Sequence, residues 1–273
     1  EYGAKLLKEG ARFVEIAEKV EAKIKELGGE PAFPVDVGVN HLAAHDSPRF
    51  NDERILHKGD VVKLDLGVHI HGAVTDTAIT VEVGSSHYMA LIKSTEEALH
   101  KALQLARPGV AVREIGRVIH NTITQQGFFP IVNLSGHRLE TYEVHASPSI
   151  PNFDNGDETL LEEGQVFAIE PFATDGAGKV IEGKPSGIYG IVHIKNIRDT
   201  YARTILASLV EKYKTLPFSE RWLIQEFGLR VKFALLLLEK EGIIKHYSIL
   251  HEKNKGQVAQ AERTIIIGKG VIN

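Results

Sequence analysis

An internal repeat is the feature that most constrains the fold of this 273-residue chain. A helical pattern of apolar residues from Val14 to Leu27, followed by Gly28, is matched 99 residues later by a second pattern that stops at Gly127. The strand-like runs that follow also match, now at a shift of 105 residues, so that Asp65 aligns with Glu170. Chance similarity between amphipathic elements is the alternative. Two related halves predict a duplicated α+β fold with equivalent strands and helices in each half.

A further match aligns Asp76 with Glu262, and here the shift has grown to 186 residues. The second half therefore carries an insertion between Glu170 and Gln257. Within it, residues 195–256 have a net charge of +5, against −9 for the rest of the chain. Such a basic segment is usually a solvated face, and a binding surface is the alternative. Two helices are predicted there, over Ser219–Phe227 and Leu229–Lys240, with Gly242 as the stop.

The two acids of the first half lie on a predicted β-hairpin. Apolar residues alternate from Val61 to Ile70, and His71-Gly72 suits a two-residue turn before a second strand that begins at Ala73. That turn pairs Asp65 with Ala78 and Asp76 with Gly67. The two carboxylates then become diagonal neighbours on one face, with about 7–8 Å between their backbones.

Four acids in strand-like runs need a physical reason, because Asp is unfavourable in strands and a lone buried carboxylate is costly. A water-exposed face is one explanation for the hairpin pair. However, the repeat aligns both of these acids with acids of the second half, Glu170 and Glu262. Their four negative charges would be balanced by two divalent cations. Oxygen-rich ligation with one imidazole suits Mn, Fe, Co or Zn.

The chain resembles the type 2 methionine aminopeptidases, archaeal branch, of the pita-bread family. Seven motifs in the family's order carry the resemblance, between Gly10 and Ile267: Phe33-Pro34 with Ala43-Ala44-His45, Lys63 to Ile70, Asp76-Thr77-Ala78, Asn133 to His137, Val144-His145-Ala146, Phe167 to Phe172, and Gln260 to Thr264. The resemblance implies a pita-bread fold, in which pseudo-two-fold halves with an antiparallel sheet are backed by helices. It also implies that 1–273 is one catalytic domain, and that 195–256 is a helical, winged-helix-like insert within it.

The family's five metal ligands carry over residue by residue. By resemblance, Asp76 and Glu262 bridge two metals, Asp65 completes one, and His137 with Glu170 completes the other. The repeat reaches the four acids independently, whereas His137 read alone is an ordinary loop histidine. The cations would be Co, Mn, Fe, Zn or Ni, with the native identity open.

The implied reaction removes the N-terminal methionine from nascent peptides through attack by metal-activated water. Glu170 would shuttle a proton, His145 would stabilise the oxyanion, and His45 would contact the scissile amide near the leaving nitrogen. His45 and His145 are thus both catalytic and substrate-binding. By alignment, the methionine side chain would lie against four further residues: Phe33, Val144, Ile188 and Tyr247.

Further expectations concern the surroundings of the protein. The absence of Cys fits a reducing cytoplasm and excludes disulfides and thiolate metal sites, and the longest apolar run, Phe233–Leu238, is too short to span a membrane. No secretory signal is expected, and the family's first helix is expected to begin upstream of Glu1. The resemblance implies a monomer that acts on nascent chains, with possible ribosome association. The basic insert is expected to pack beside the active-site cleft rather than to bind nucleic acid.

Two other functions stay open at this point. One is an Xaa-Pro peptidase of the same fold, although such enzymes usually carry an N-terminal domain and lack the insert. The other is a non-catalytic relative that binds nucleic acid or ribosomes, although such relatives typically lose metal ligands. His-Glu-x-x-His, a phosphate-binding loop and a Gly-x-Ser-x-Gly elbow are absent, which excludes those alternative chemistries.

Overall fold

The computed structural model describes residues 1–273. A short 3-10 helix (Gly3–Leu6) precedes six α-helices: α1 (Phe13–Glu26), α2 (Met89–Leu105), α3 (Val112–Gln125), α4 (Thr200–Tyr213), α5 (Glu220–Phe227) and α6 (Val231–Lys240). There are sixteen β-strands: β1 (Glu30–Pro31), β2 (Asp36–Val39), β3 (Leu42–Ala44), β4 (Val61–Ile70), β5 (Ala73–Glu82), β6 (Phe129–Pro130), β7 (Ser135–Glu140), β8 (Glu143–Pro151), β9 (Val166–Ile169), β10 (Phe172–Thr174), β11 (Val180–Ile191), β12 (Phe218–Ser219), β13 (Ile244–Glu252), β14 (Val258–Gln260), β15 (Arg263–Ile266) and β16 (Gly270–Val271).

All strand pairs are antiparallel, and they form four sheets. In the first sheet β4 pairs with β1, β2 and β5, and in the second the order is β16-β15-β9-β7-β8. The other two sheets have three and four strands, in the orders β14-β10-β6 and β12-β11-β13-β3. Helix α1 packs on the first sheet, while α2 and α3 pack on the second. This arrangement confirms the predicted α+β pita-bread class, in which antiparallel sheets are backed by helices.

The duplication is visible in equivalent hydrogen bonds of the two halves. A glycine N–H just before α1 donates to a carbonyl at 2.8 Å, and its counterpart before α3 does the same at 2.8 Å; the pairs are Gly10 to Leu56 and Gly109 to Leu161. The short strands that follow these helices also pair equivalently, Pro31 with Val68 and Pro130 with Ala173. Each half therefore builds the same frame around its helix.

The ends of the predicted helices agree with the glycines that mark them, with one correction. Gly28 and Gly127 adopt positive φ angles of 88° and 85°, which is the conformation that stops a helix after its last turn. Leu27, which the periodicity placed on the apolar face of α1, is instead 74% exposed. Helix α1 ends one residue earlier, at Glu26, so Leu27 rotates out of register with the buried face.

The hairpin register is the one predicted from the His71-Gly72 turn. Asp65 pairs with Ala78 and Gly67 pairs with Asp76 along the ten paired positions of β4 and β5. His71 and Gly72 both have positive φ, 50° and 90°, as a type I′ turn requires. The two acids therefore lie on one face of the hairpin.

The segment 195–256 contains more than the two predicted helices. Helices α5 and α6 occur where predicted, and the Ser219 hydroxyl caps α5 by accepting from the Arg221 N–H at 3.0 Å. Helix α4 was not predicted, because its apolar pattern is weaker. The three helices share one apolar core. Strand β13 also belongs to the segment and pairs with β11 and β3, which lie outside it. None of the helices in the structure has the length and apolarity needed to cross a membrane.

A buried ion pair joins this segment to the first half of the chain. The Arg221 guanidinium, 1% exposed, donates two hydrogen bonds to Glu21 of α1, at 2.9 Å and 2.6 Å. The indole of Trp222 donates to the same carboxylate at 2.9 Å, and Arg221 Nε donates to the carbonyl of Pro48 at 3.2 Å. Both charged groups have hydrogen-bond partners inside the folded protein. Removal of one charged partner therefore leaves the other buried and uncompensated.

We expect Glu21→Gln to lower the free energy of unfolding by about 3–5 kcal/mol, because it strands the buried Arg221 guanidinium. Chemical denaturation monitored by circular dichroism measures the change. Glu15→Gln is the matched control: it removes an exposed carboxylate of the same helix, 3.5 Å from Lys19, and should cost less than about 1 kcal/mol. Equal effects of the two variants would contradict this account.

Candidate metal centre

Five side chains that the sequence analysis selected as metal ligands converge where the two halves meet. Asp65 and Asp76 come from the first-half hairpin, and His137 comes from β7. Glu170 follows β9, and Glu262 immediately precedes β15. Their ligand atoms fall into two groups, Asp76 with His137 and Glu262, and Asp65 with Glu170 and Glu262. Within each group all ligand atoms lie within 4.8 Å of one another, and Glu262 belongs to both.

Local structure explains how each half presents its acids. Asp65 lies inside the continuous strand β4, whereas the equivalent strand of the second half is broken between β9 and β10. Glu170 occupies that break because Pro171 lacks the N–H that a strand ladder needs. Across the junction, the Thr264 hydroxyl accepts from the Asp76 N–H at 2.7 Å, and the Glu262 N–H donates to the Ala78 carbonyl at 3.0 Å. These bonds tie β5 to the start of β15, so the acids of the two halves face each other.

The electrostatics of the site strongly disfavour four adjacent negative charges. Burial raises the pKa of Asp65 to about 6. Burial, and then the negative charges of neighbouring acids, raise the pKa values of Asp76, Glu170 and Glu262 well above the ordinary range. Burial and the nearby His145 lower the pKa of His137 to about 3. Its ring is therefore neutral, and the Nε2 contacts to Asp76 at 3.7 Å and Glu170 at 3.5 Å are not ion pairs.

Unsatisfied buried atoms are a direct test of whether cations fit this site. Three of the four acids present a buried oxygen with no hydrogen-bond partner: Asp65 Oδ1, Asp76 Oδ1 and Glu262 Oε2. Buried polar atoms are normally satisfied, so such a concentration points to a missing partner. Carboxylate oxygens and a neutral imidazole nitrogen are suitable donors for divalent transition metals. The residues present therefore fit divalent cations.

The predicted substrate residues line a cavity of about 230 Å³ that contains all five ligands. Phe33, Val144, Ile188 and Tyr247 lie around it, and His45 and His145 are also part of its wall. Five further apolar residues line the cavity that no sequence pattern indicated, because they come from separated elements: Ala44, Leu134, Phe172, Pro217 and Leu250. A cavity that combines apolar walls with convergent polar groups is typical of a small-molecule or side-chain pocket.

The two cavity histidines are both poor bases. His145 is exposed to the cavity, and its ring centroid lies 4.5 Å from that of His137 in an edge-on arrangement. Burial among protein atoms, followed by the nearby His45 and Lys245, lowers the pKa of His145 to about 4. Burial also lowers the pKa of His45. Both imidazoles are thus neutral near pH 7 and can donate or accept a hydrogen bond without carrying charge.

Gln260 and Asp36 are two site residues whose roles the sequence analysis did not identify. The Gln260 amide donates to Asp65 Oδ2 and to Glu170 Oε2, both at 3.1 Å, and so fixes one carboxylate from each half. Its position two residues before Glu262 was the available signal, since alternate strand residues share a face. Asp36 lines the cavity from β2. In the sequence it is an acid between two apolar residues, Val35 and Val37, and this pattern was the signal that could have identified it.

Comparison with known proteins places this geometry in a family. The profile of metallopeptidase family M24 matches residues 1–204. A methionine aminopeptidase of Pyrococcus horikoshii is 48% identical over 98% of this chain and 92% of its own length.

Among solved structures, a methionine aminopeptidase from Thermotoga maritima has a TM-score of 0.69 at 22% identity. The match covers 98% of this chain and 86% of that one. A thermophilic Arx1 has a TM-score of 0.86 at 18% identity, covering 100% and 85%. The two solved structures share the fold of this chain. The high sequence identity over nearly the full length is to the Pyrococcus methionine aminopeptidase. The chain therefore belongs to metallopeptidase family M24 and, within it, to the methionine aminopeptidases.

Proposed function

We propose that the protein removes the N-terminal methionine from nascent peptides, as a type 2 enzyme of the archaeal branch. The observation that carries this proposal is the group of unsatisfied buried ligand atoms at one wall of a largely apolar cavity. Residues 1–273 act as one catalytic domain, and 195–256 form an insert subdomain within it. We further propose that the enzyme is a cytoplasmic monomer that meets nascent chains near the ribosome.

Asp65, Asp76, His137, Glu170 and Glu262 would hold two divalent cations. The ligand atoms form two groups, which suits two cations. The charges of four carboxylates would also balance those of two doubly charged ions. When bound, the cations supply Lewis acidity, which makes water ionise near neutral pH and polarises a carbonyl. Co, Mn, Fe, Zn and Ni are all compatible with these donors.

The side chains of the chain itself would handle the substrate and its protons. Glu170 accepts a proton from the attacking water on a carboxylate oxygen and transfers it to the leaving amine nitrogen. Addition of the water oxygen to the carbonyl carbon moves the π electrons of the carbonyl onto its oxygen, and His145 donates a hydrogen bond to that oxyanion. The carbonyl then re-forms as the carbon–nitrogen bond breaks, and the amine leaves with the proton from Glu170. His45 contacts the scissile amide near the leaving nitrogen. The free α-amine of the substrate would lie beside these acids, which accounts for action at N-termini.

The methionine side chain would lie in the apolar part of the cavity. Phe33, Val144, Ile188 and Tyr247 provide its walls, and all four border the same space as the ligands. Ile188 and Tyr247 belong to β11 and β13, so the sheet formed with the insert supplies part of this pocket. The insert is therefore proposed to act in substrate binding rather than in nucleic-acid binding.

Hydrolysis of two peptides tests the activity. Protein loaded with Co, Mn or Fe should release methionine from Met-Ala-Ser and leave Ala-Pro-Ser intact. Preferential cleavage of Ala-Pro-Ser would instead identify an Xaa-Pro peptidase. An inactive loaded protein that binds RNA with steep salt dependence would identify a binding module.

We expect Glu262→Gln to reduce turnover more than about 1,000-fold, because it removes an oxygen shared by both ligand groups. Elemental analysis of the purified variant should show less metal per protein molecule. Asp157→Asn, which changes an exposed carboxylate on a surface turn, is the control and should retain both metal and turnover. Full metal content with full activity in Glu262→Gln would refute its role as a ligand.

We expect His145→Ala to lower kcat by about 100–1,000-fold while the metal content stays unchanged, because its hydrogen bond strengthens as the oxyanion forms. Steady-state kinetics on Met-Ala-Ser and elemental analysis measure the two quantities together. A loss of metal would instead mean that His145 is itself a ligand.

We expect the metal-free protein to become less stable as the pH rises through about 6. The folded-state pKa of Asp65 is raised to about 6, and the pKa values of its neighbours are also raised. The stability that these protonated acids contribute is therefore complete below their unfolded-state pKa values and is lost as the pH rises through the folded-state values. Thermal melting between pH 5 and 8 in a chelator measures the slope. Saturating Mn should flatten it, and an unchanged slope with Mn would argue against cation binding.

A further inference from the structure

Asp36 is a buried carboxylate at the site that neither ligand group includes. It lies on β2, is 6% exposed, and pairs directly with the ligand Asp65 across the strand ladder. The side chain borders the same cavity as the five ligands. Its Oδ1 atom is buried without a hydrogen-bond partner. A fifth acid beside four others is electrostatically unfavourable, so its retention at this position calls for a specific interaction.

The other oxygen of Asp36 makes that interaction. Asp36 Oδ2 accepts a hydrogen bond from the backbone N–H of His45 at 2.8 Å. His45 has a φ angle of 63°, in the left-handed region that residues with a side chain seldom adopt. Such a conformation persists only when surrounding contacts hold it. The Asp36 carboxylate supplies one contact at the strained residue itself, and the pairing of β2 with β4 fixes the carboxylate.

A second contact orients the ring of His45. Its Nδ1 lies 3.1 Å from the carbonyl oxygen of Ser248 on β13. Because a carbonyl only accepts, Nδ1 must carry the proton, and Nε2 is left as the acceptor. The ring also lies edge-on to Tyr247, at 5.4 Å between centroids. Two anchors, Asp36 at the backbone and Ser248 at the ring, therefore fix where Nε2 is directed.

We propose that Asp36 is a positioning residue for His45: its carboxylate holds the left-handed backbone that directs the imidazole into the cavity, and it does not coordinate a cation. The inference rests on the proposed function, in which His45 contacts the scissile amide. The hydrogen bond to His45 already engages Asp36 Oδ2, and the two ligand groups form without it. A small rotation of His45 would displace Nε2 from the amide, and displacements of this kind are costly to turnover.

Two substitutions at Asp36 distinguish the loss of its hydrogen-bond acceptor from the loss of its negative charge. Asp36→Ala removes the acceptor, and kcat for Met-Ala-Ser should fall about tenfold or more, with unchanged metal content. Asp36→Asn keeps an oxygen that can accept from the His45 N–H, and kcat should stay within about threefold of wild type. Asp36→Val, which suits a strand, is the replacement for Asp36→Ala if that variant does not fold, with the same expected loss.

A double-mutant cycle with His45→Ala distinguishes positioning from general loss of stability. If Asp36 acts through His45, Asp36→Ala should cause no further loss of kcat in the His45→Ala background. Glu82→Ala is the matched control, because Glu82 is another buried carboxylate that accepts backbone N–H groups, from His87 and Tyr88 at 2.9 Å and 2.8 Å. It should lower the melting temperature without changing kcat.

The outcomes separate this inference from the proposed function. A wild-type protein that is inactive with every metal would overturn the function itself. In an active enzyme, unchanged kcat in Asp36→Ala, or additive losses in the cycle, would overturn the positioning role. Loss of metal from Asp36→Ala would overturn it as well, since Asp36 would then belong to the ligand set.

Discussion

Mutual repulsion among four buried carboxylates is the constraint on which the functional part of this structure depends. Asp65, Asp76, Glu170 and Glu262 belong to two groups of nearby ligand atoms that share Glu262, and burial and the charges of neighbouring acids raise their pKa values. Such a group is stable only when protons or cations compensate it. The frame that holds it is correspondingly rigid: Gln260 bonds to one acid from each half, and Thr264 fixes the backbone of Asp76.

The duplication supplies that frame by repeating the same elements in each half of the chain. Equivalent hydrogen bonds at Gly10 and Gly109 position equivalent helices under equivalent strands, so related acids approach from opposite sides of one junction. The halves then diverge where function requires it. Strand β4 is continuous through Asp65, whereas Pro171 interrupts its counterpart and leaves Glu170 at a break. The second half alone contributes His137, and its insertion brings Tyr247 to the cavity wall.

The cavity combines this charged wall with a largely apolar one, and the two parts have different tasks. The acids and His137 can hold cations, while the apolar residues can receive an apolar side chain. His45 and His145 lie between the two parts as neutral groups, because burial lowers their pKa values. Asp36 borders the same cavity, and its carboxylate accepts a hydrogen bond from the backbone N–H of His45. Membership of family M24 agrees with this division of roles.

The sequence by itself determined the class of fold, the hairpin register and the four acids. Alternation fixed the faces of β4, the His71-Gly72 turn fixed its pairing, and the repeat linked acids that are far apart in the chain. These are local or periodic properties, and they survive without tertiary information. Only the tertiary structure decided the contacts of Asp36 and Gln260, the presence of α4, and the burial of Arg221 against Glu21. Each of these depends on contacts between segments that are distant in sequence, and no local pattern specifies which segments will meet.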